Sequence, residues 1–149
     1  MRELDELDRR ILKILQENAE TPYSQISAKL GISKAAVHKR LKELKRRGVI
    51  KRICAIVDPK MLGKGLKAFV GVSTEPGACP EVIGKLRERP EILEIHEMAG
   101  EHDLLLKVIV SDTEQLNVFL HEIDKLPGIS GSKTFVVLKT EKETSFVEP

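Results

Sequence analysis

Two stretches of this sequence carry side chains whose types and spacing could do chemistry. In residues 33–47, Lys34, His38, Lys42 and Lys45 recur along one line of a helix, with Ala35, Lys39 and Arg46 beside them. Donors and positive charge so placed suit phosphate oxygens and the acceptor edges of bases. The plainer reading is a solvated basic face whose last-turn cations complement the helix dipole. In Gly100-Glu101-His102-Asp103, a glycine exposes backbone N–H groups near a carboxylate. Such a pair could receive the carboxylate and the ammonium of a zwitterion, or Gly and Asp could simply serve a hairpin turn.

The elements that position the basic line are written locally. Val37, Leu41 and Leu44 recur at four and three residues, one inward stripe with Ala36 beside it. Ser33 is an N-cap, and Gly48 supplies a left-handed stop. Upstream, Ser24–Leu30 predicts a short helix with Ile26 and Leu30 inward, and Gly31-Ile32 is the break before Ser33. That is helix-turn-helix spacing. The small Ser27 and Ala28 let the helices cross closely, and Ile32 plugs the corner. Leu4, Leu7, Ile11, Ile14 and Leu15 predict a first helix from about Asp5 to Ala19, and Thr21-Pro22-Tyr23 breaks it from the second. Asp5, Glu6 and Asp8 complement its dipole. Val49–Val57 is β-rich and predicts a wing-like strand, closed by Asp58-Pro59. Lys60–Gly65, with two glycines, predicts a mobile linker.

The 149 residues suit two small domains better than one, and the charge divides accordingly. Residues 1–52 hold 14 Lys and Arg against 7 Asp and Glu, whereas residues 53–149 hold 11 against 16. A polyanion-binding module joined to a module with another task is the expectation, and the net charge of +2 conceals it. Cys54 and Cys79 lack metal or redox spacing and are expected to be reduced and partly buried. The opening Met1–Glu6 is too charged to lead a secretory signal, and no apolar run approaches the roughly 20 residues of a membrane span. A cytoplasmic protein without a membrane partner is expected.

The second half alternates strand and helix signals: strand Leu66–Glu75, helix Pro80–Arg89, strand Ile92–Ala99, turn Gly100–Asp103, strand Leu104–Val110. A helix from Thr113 to Leu126 follows, with Asp112 and Gln115 resembling a capping box, and Ile129–Glu143 supplies a last strand. The order βαββαβ predicts a ferredoxin-like sheet with both helices on one face, so the fold class is α+β. The alternation places apolar residues on both faces. Ala68, Val70 and Val72 alternate with Phe69 and Gly71, Leu104, Leu106 and Val108 with Leu105 and Ile109, and Val136 and Leu138 with Phe135 and Val137. An apolar helix-free face predicts burial against a second copy, at least a homodimer.

Nearly the whole chain resembles the Lrp/AsnC family, the leucine-responsive and feast/famine transcription regulators. Leu7-Asp8-Arg9-Arg10-Ile11-Leu12, then Ile26 to Ser33 followed by Val37, Arg40, Leu41, Leu44, Gly48, Val49 and Ile50, resemble its DNA-binding half. Asp58-Pro59 and Leu62-Gly63 continue that pattern. Gly100–Asp103, Leu126-Pro127-Gly128 and Thr134–Leu138 resemble its regulatory half. The resemblance implies a winged helix-turn-helix over residues 1–52, a strand and linker over 53–65, and a regulatory and oligomerisation domain over 66–149. It also implies dimers assembled into tetramers, octamers or larger discs that bind a small effector, usually an amino acid, and no cofactor.

On this reading Ser33, Lys34, Ala35, His38, Lys39 and Lys42 meet double-stranded DNA, with Arg46, Arg47, Lys51 and Arg52 on phosphates. Gly100, Glu101, His102 and Asp103 form the effector loop, completed by Met98, Thr134 and Val136. Two rivals come from other classes. Tetrapyrrole (siroheme) decarboxylases look similar to the family, but the third helix here is basic, and four Phe, one Tyr and no Trp suit a macrocycle cavity poorly. Metal sensing through His96, Glu97, His102 and Asp103 has suitable ligand types but no tight motif. No serine or cysteine has a base nearby in sequence, and no enzyme activity is expected.

Overall fold

The computed structural model describes residues 3–149, which form two units, residues up to Ile56 together with Lys142–Pro149, and Val57–Glu141. The first contains α1 (Glu6–Glu17), α2 (Tyr23–Leu30) and α3 (Lys34–Arg46). The second runs β1 (Leu66–Thr74), α4 (Cys79–Leu86), β2 (Ile92–Glu97), β3 (Leu104–Val110), α5 (Thr113–Asp124) and β4 (Ile129–Val136).

In the first unit Ile11, Leu12, Ile26, Val37, Leu41 and Leu44 make the core, and Ile32 and Leu30 pack against it. The Asp5 carboxylate caps α1 by accepting from the Asp8 N–H at 2.9 Å, and the Ser33 hydroxyl caps α3 by accepting from the Ala36 N–H at 3.1 Å. Gly31 and Gly48 end α2 and α3 with φ of +67° and +73°. The side chain that fixes the roll of α3 is Arg40. Its Nη1 lies 2.7 Å from Asp5 Oδ2 and 2.7 Å from Asp8 Oδ1, with the Asp8 side chain 10% exposed. The acids at the start of α1 thus bind α3 as well as complementing a dipole, and their hydrogen bonds hold the guanidinium pKa above its ordinary value.

Val49–Val57 does not form the expected strand. A strand requires a neighbour's N–H and C=O groups, and among the described residues this segment has no ladder partner, leaving Ile53, Ile56 and Val57 exposed. Cys54 is exposed with it, while Cys79 is half-buried. The expected linker is a built turn. Pro59–Leu62 forms one turn of 3₁₀ helix capped by Asp58, whose side chain accepts from the Lys60 N–H at 3.0 Å. The boundary falls between Ile56 and Val57, and the last eight residues leave the second unit to join the first.

The sheet of the second unit has the order β2-β3-β1-β4, antiparallel throughout, as the βαββαβ pattern requires. Ala68, Val70, Val72, Leu104, Leu106, Val108 and Val110 pack beneath Val82, Ile83 and Leu86 of α4 and Leu116, Phe119 and Ile123 of α5. Asp112 caps α5, accepting from the Gln115 N–H at 2.9 Å. β4 ends at Val136, short of the expected Glu143. Cross-strand pairing puts Phe69, Leu105 and Phe135 on the helix-free face together with Lys67, Lys107 and Lys133. That face is apolar at its centre and fringed by lysines, rather than apolar throughout.

Replacing Arg40 by Met is expected to lower stability by about 1–3 kcal/mol, because two carboxylates then lose their partner at a partly exposed site. Thermal unfolding followed by circular dichroism checks this; an unchanged Tm would show that the triad contributes nothing to the fold.

Candidate functional site

Outside the buried stripe Val37, Leu41 and Leu44, α3 carries Lys34, Ala35, His38, Lys39 and Lys42, all exposed. At about 100° per residue Ala35, Lys39 and Lys42 lie opposite that stripe, and Lys34 and His38 flank it. The structure therefore brings together the predicted base-facing group, with Ser33 exposed at its amino-terminal edge. His38 is backed by Tyr23 of α2, ring centroids 6.2 Å apart, which ties the start of α2 to the middle of α3. Arg46 is exposed, but its guanidinium is paired with Glu43 through Nε at 2.8 Å and Nη2 at 2.6 Å. A phosphate meeting Arg46 would share it with that carboxylate. Lys51 and Arg52 lie on the exposed segment after α3, and Arg47 caps the helix.

Arg40 belongs to the same basic run yet points to Asp5 and Asp8. A signal for this was present. Arg40 stands three residues after Val37 and four before Leu44, on the inward stripe, where a cation needs acidic partners.

The loop between β2 and β3 is closed by the Met98 N–H donating to the Asp103 carbonyl at 2.8 Å. Asp103 anchors it to the end of β1. Its Oδ2 accepts from the Thr74 N–H at 2.6 Å and the Thr74 hydroxyl at 3.1 Å. These bonds favour the carboxylate and hold its pKa below the ordinary aspartate value. The carboxylate expected to meet an ammonium is thus already engaged in fixing the hairpin.

His102 lies across β1 on the helix-free side. Its Nδ1 is 3.0 Å from Ser73 Oγ, and a Cβ added at Gly71 would fall 2.4 Å from its Cδ2. Gly71 is the gap that lets the ring lie on the sheet. His102 Nε2 is shielded from solvent without a hydrogen-bond partner among the described residues. Glu101 reaches β4 through Lys133, 3.4 Å away. Gly100 is exposed with open space around its missing side chain.

Thr134 and Val136 are not brought to this loop. They pair with Val70 and Ala68 and so face the helices, whereas His102 covers Gly71, the partner of Lys133. The residues of β4 on the loop's side are Lys133 and Phe135. Gly71, Ser73, Thr74 and Lys133 therefore belong to the site although sequence reasoning omitted them. Strand parity was the missing information.

Among the described residues no group of three or more His, Cys, Asp or Glu is placed to hold a metal ion. His96 pairs with Glu94 at 3.1 Å, and Lys107 shares that carboxylate at 3.1 Å. No helix among the described residues is long and apolar enough to cross a membrane.

Residues 4–51 match the family model of a winged helix-turn-helix DNA-binding domain, and residues 67–147 match that of the Lrp/AsnC ligand binding domain. The chain is 41% identical over 142 residues to the HTH-type transcriptional regulator FL11 of Pyrococcus horikoshii, covering 95% of this chain and 94% of that protein. It is 38% identical over 143 residues to the HTH-type transcriptional regulator Ptr1 of Methanocaldococcus jannaschii, covering 95% and 97%. Among solved structures it is similar to AsnC of E. coli, with a TM-score of 0.93, 27% identity and coverage of 99% and 100%. A transcriptional regulator of Neisseria meningitidis in complex with L-Met gives a TM-score of 0.92 at 29% identity, covering 96% and 95%. The curated relatives are named as regulators and not as enzymes, so the tetrapyrrole decarboxylase alternative is set aside. With a basic helix-turn-helix followed by a ferredoxin-like unit, each matching its own family model in the expected order, the chain belongs to the Lrp/AsnC family and is a DNA-binding transcriptional regulator.

Proposed function

We propose that the protein reads a specific DNA sequence as a homodimer or larger assembly in the cytoplasm, and that a small amino acid modulates its binding or assembly. The observation that carries the DNA reading is the exposed line Lys34, His38, Lys39 and Lys42 on a helix whose other side is the core. In this reading α3 enters the major groove with Lys34, Ala35, His38, Lys39 and Lys42 toward base edges. Ser33, Arg46, Arg47, Lys51 and Arg52 meet the phosphates.

Self-assembly is supported by apolar surface that one chain leaves uncovered. Phe135 is 52% exposed, Leu138 97% and Ile56 82%. Covering such side chains contributes about 1.5–3 kcal/mol each. Two α3 helices related by a dimer axis would then read half-sites about one helical turn, roughly 34–36 Å, apart or a multiple of it.

An amino-acid effector is supported by the loop from Met98 to Asp103, with Gly100 and Glu101 exposed and His102 half-buried beside them, and by the L-Met complex of the Neisseria relative. Asp103 shapes this loop, leaving the Gly100 backbone and the Glu101 carboxylate as the groups to meet a zwitterion.

Lys34→Ala or His38→Ala is expected to reduce discrimination between operator and random DNA by about 1–3 kcal/mol per base contact, whereas Arg52→Ala weakens all sequences alike. Titrations from 50 to 200 mM salt, a range estimated to cost about 10³–10⁵ in affinity when six to ten phosphates are contacted, test the electrostatic part. Binding indifferent to salt would contradict phosphate neutralisation. In a thermal-shift screen against the twenty amino acids, an effector at 100 times its Kd stabilises by about 2.7 kcal/mol. Gly71→Ala, which displaces the His102 ring, is expected to diminish that response; no shift with any amino acid would remove the effector from the proposal.

A further inference from the structure

We propose that the face of α1 carrying Lys13 and Gln16 is a docking surface for an extended peptide, and that its ligand is the last residues of this same chain. The carboxamide of Gln16 takes both backbone groups of Val147. Nε2 donates to the Val147 carbonyl at 2.8 Å, and Oε1 accepts from the Val147 N–H at 2.8 Å. One side chain thus satisfies a whole residue in the manner of a neighbouring strand. Lys13, three positions earlier on the same helical face, holds the next side chain, with Nζ 3.0 Å from Glu148 Oε1.

The chain prepares this geometry before it arrives. The Phe146 N–H donates to the Thr144 hydroxyl at 3.0 Å, a local turn. Phe146 and Pro149 are half-buried, whereas Lys142–Ser145 are exposed. The surface therefore selects any extended residue at the position of Val147 and an acidic residue directly after it.

An exposed ion pair contributes little alone, and Lys13 and Glu148 are both more than half exposed. The paired amide bonds therefore carry the docking, and docking is reversible. Its consequence lies in how the chain is connected. The backbone leaves the DNA-binding unit after Ile56 and returns to it at Lys142. Just before that return, Thr140 is held by Lys67 of β1, with Nζ to Oγ1 at 3.2 Å. Docked, the tail ties the DNA-binding unit to the chain at a second point, at Val147, a short step beyond Thr140, the residue held by β1.

Millisecond hydrogen exchange with mass spectrometry on the full chain tests this. In the unaltered protein the amide of Val147 is expected to exchange about tenfold more slowly than in a disordered peptide. Gln16→Ala should return it to the disordered rate while peptides from α2 and α3 keep theirs, since Gln16 is exposed and its loss leaves the core intact. Lys13→Glu should lower the protection, and Lys13→Glu combined with Glu148→Lys should restore it. A tail that exchanges at the disordered rate without any substitution, or stays equally protected in Gln16→Ala, would overturn the proposal.

Discussion

Arg40, clasped by Asp5 and Asp8, governs what the DNA-binding unit can do, because a helix is useful for reading only if its roll is fixed. Each residue turns α3 by about 100°, so a slip of one position would carry Lys34, His38 and Lys42 away from the outer face. Val37, Leu41 and Leu44 define an inward side, but an apolar stripe tolerates small rotations that a two-carboxylate clasp does not. The desolvation cost is contained because the guanidinium remains partly exposed. Asp5 also caps α1, which couples the start of the first helix to the third. The clasp further takes one cation out of the basic run, so the charge that remains outward lies on a narrower line.

The second unit rests on a comparable constraint of close approach. A ring can lie flat on a sheet only where the strand beneath has no side chain, and Gly71 provides that place in the middle of β1. With His102 there and Asp103 bound at Thr74, the loop between β2 and β3 is held at two points of one strand. Glu101 adds a contact to β4 through Lys133. A ligand that alters this loop therefore acts on β1 and β4, the strands that carry Phe69 and Phe135 on the helix-free face. The same short segment thus faces both the proposed effector and the proposed assembly surface.

Most of the architecture was legible because it depends on local signals. Ser33 and Gly48 mark the ends of α3, and the apolar run Leu104–Val110 coincides with β3 residue for residue. What could not be read depends on a partner distant in sequence. Val49–Val57 has strand composition, yet a strand is a relation between two segments, and one chain supplies no neighbour for it. Thr134 and Val136 were assigned to the loop, but the face of a residue on β4 depends on a register that shifts at Ser73 and Thr74. Nothing in the composition of Thr144–Pro149 distinguishes a docked tail from a continuing strand. Arg40 differs from these, since its position beside the apolar stripe is local and is visible in the spacing from Val37 and Leu44.

The division of charge explains how a chain of net charge +2 can bind a polyanion. Attraction to phosphate is local, because at physiological ionic strength charges farther than about 8 Å contribute little across solvent. Residues 1–52 carry the excess of cations and residues 53–149 the excess of anions, so the local balance near α3 is positive although the total is small. The acidic half then discourages the regulatory unit from adhering to DNA on its own account, and contact concentrates on α3 and the segment after it. For such a protein the total charge measures neither affinity nor orientation. What sets both is the charge within a Debye length of each phosphate, and hence which cations, like Arg40 and Arg46, have already been bound by acids of the protein itself.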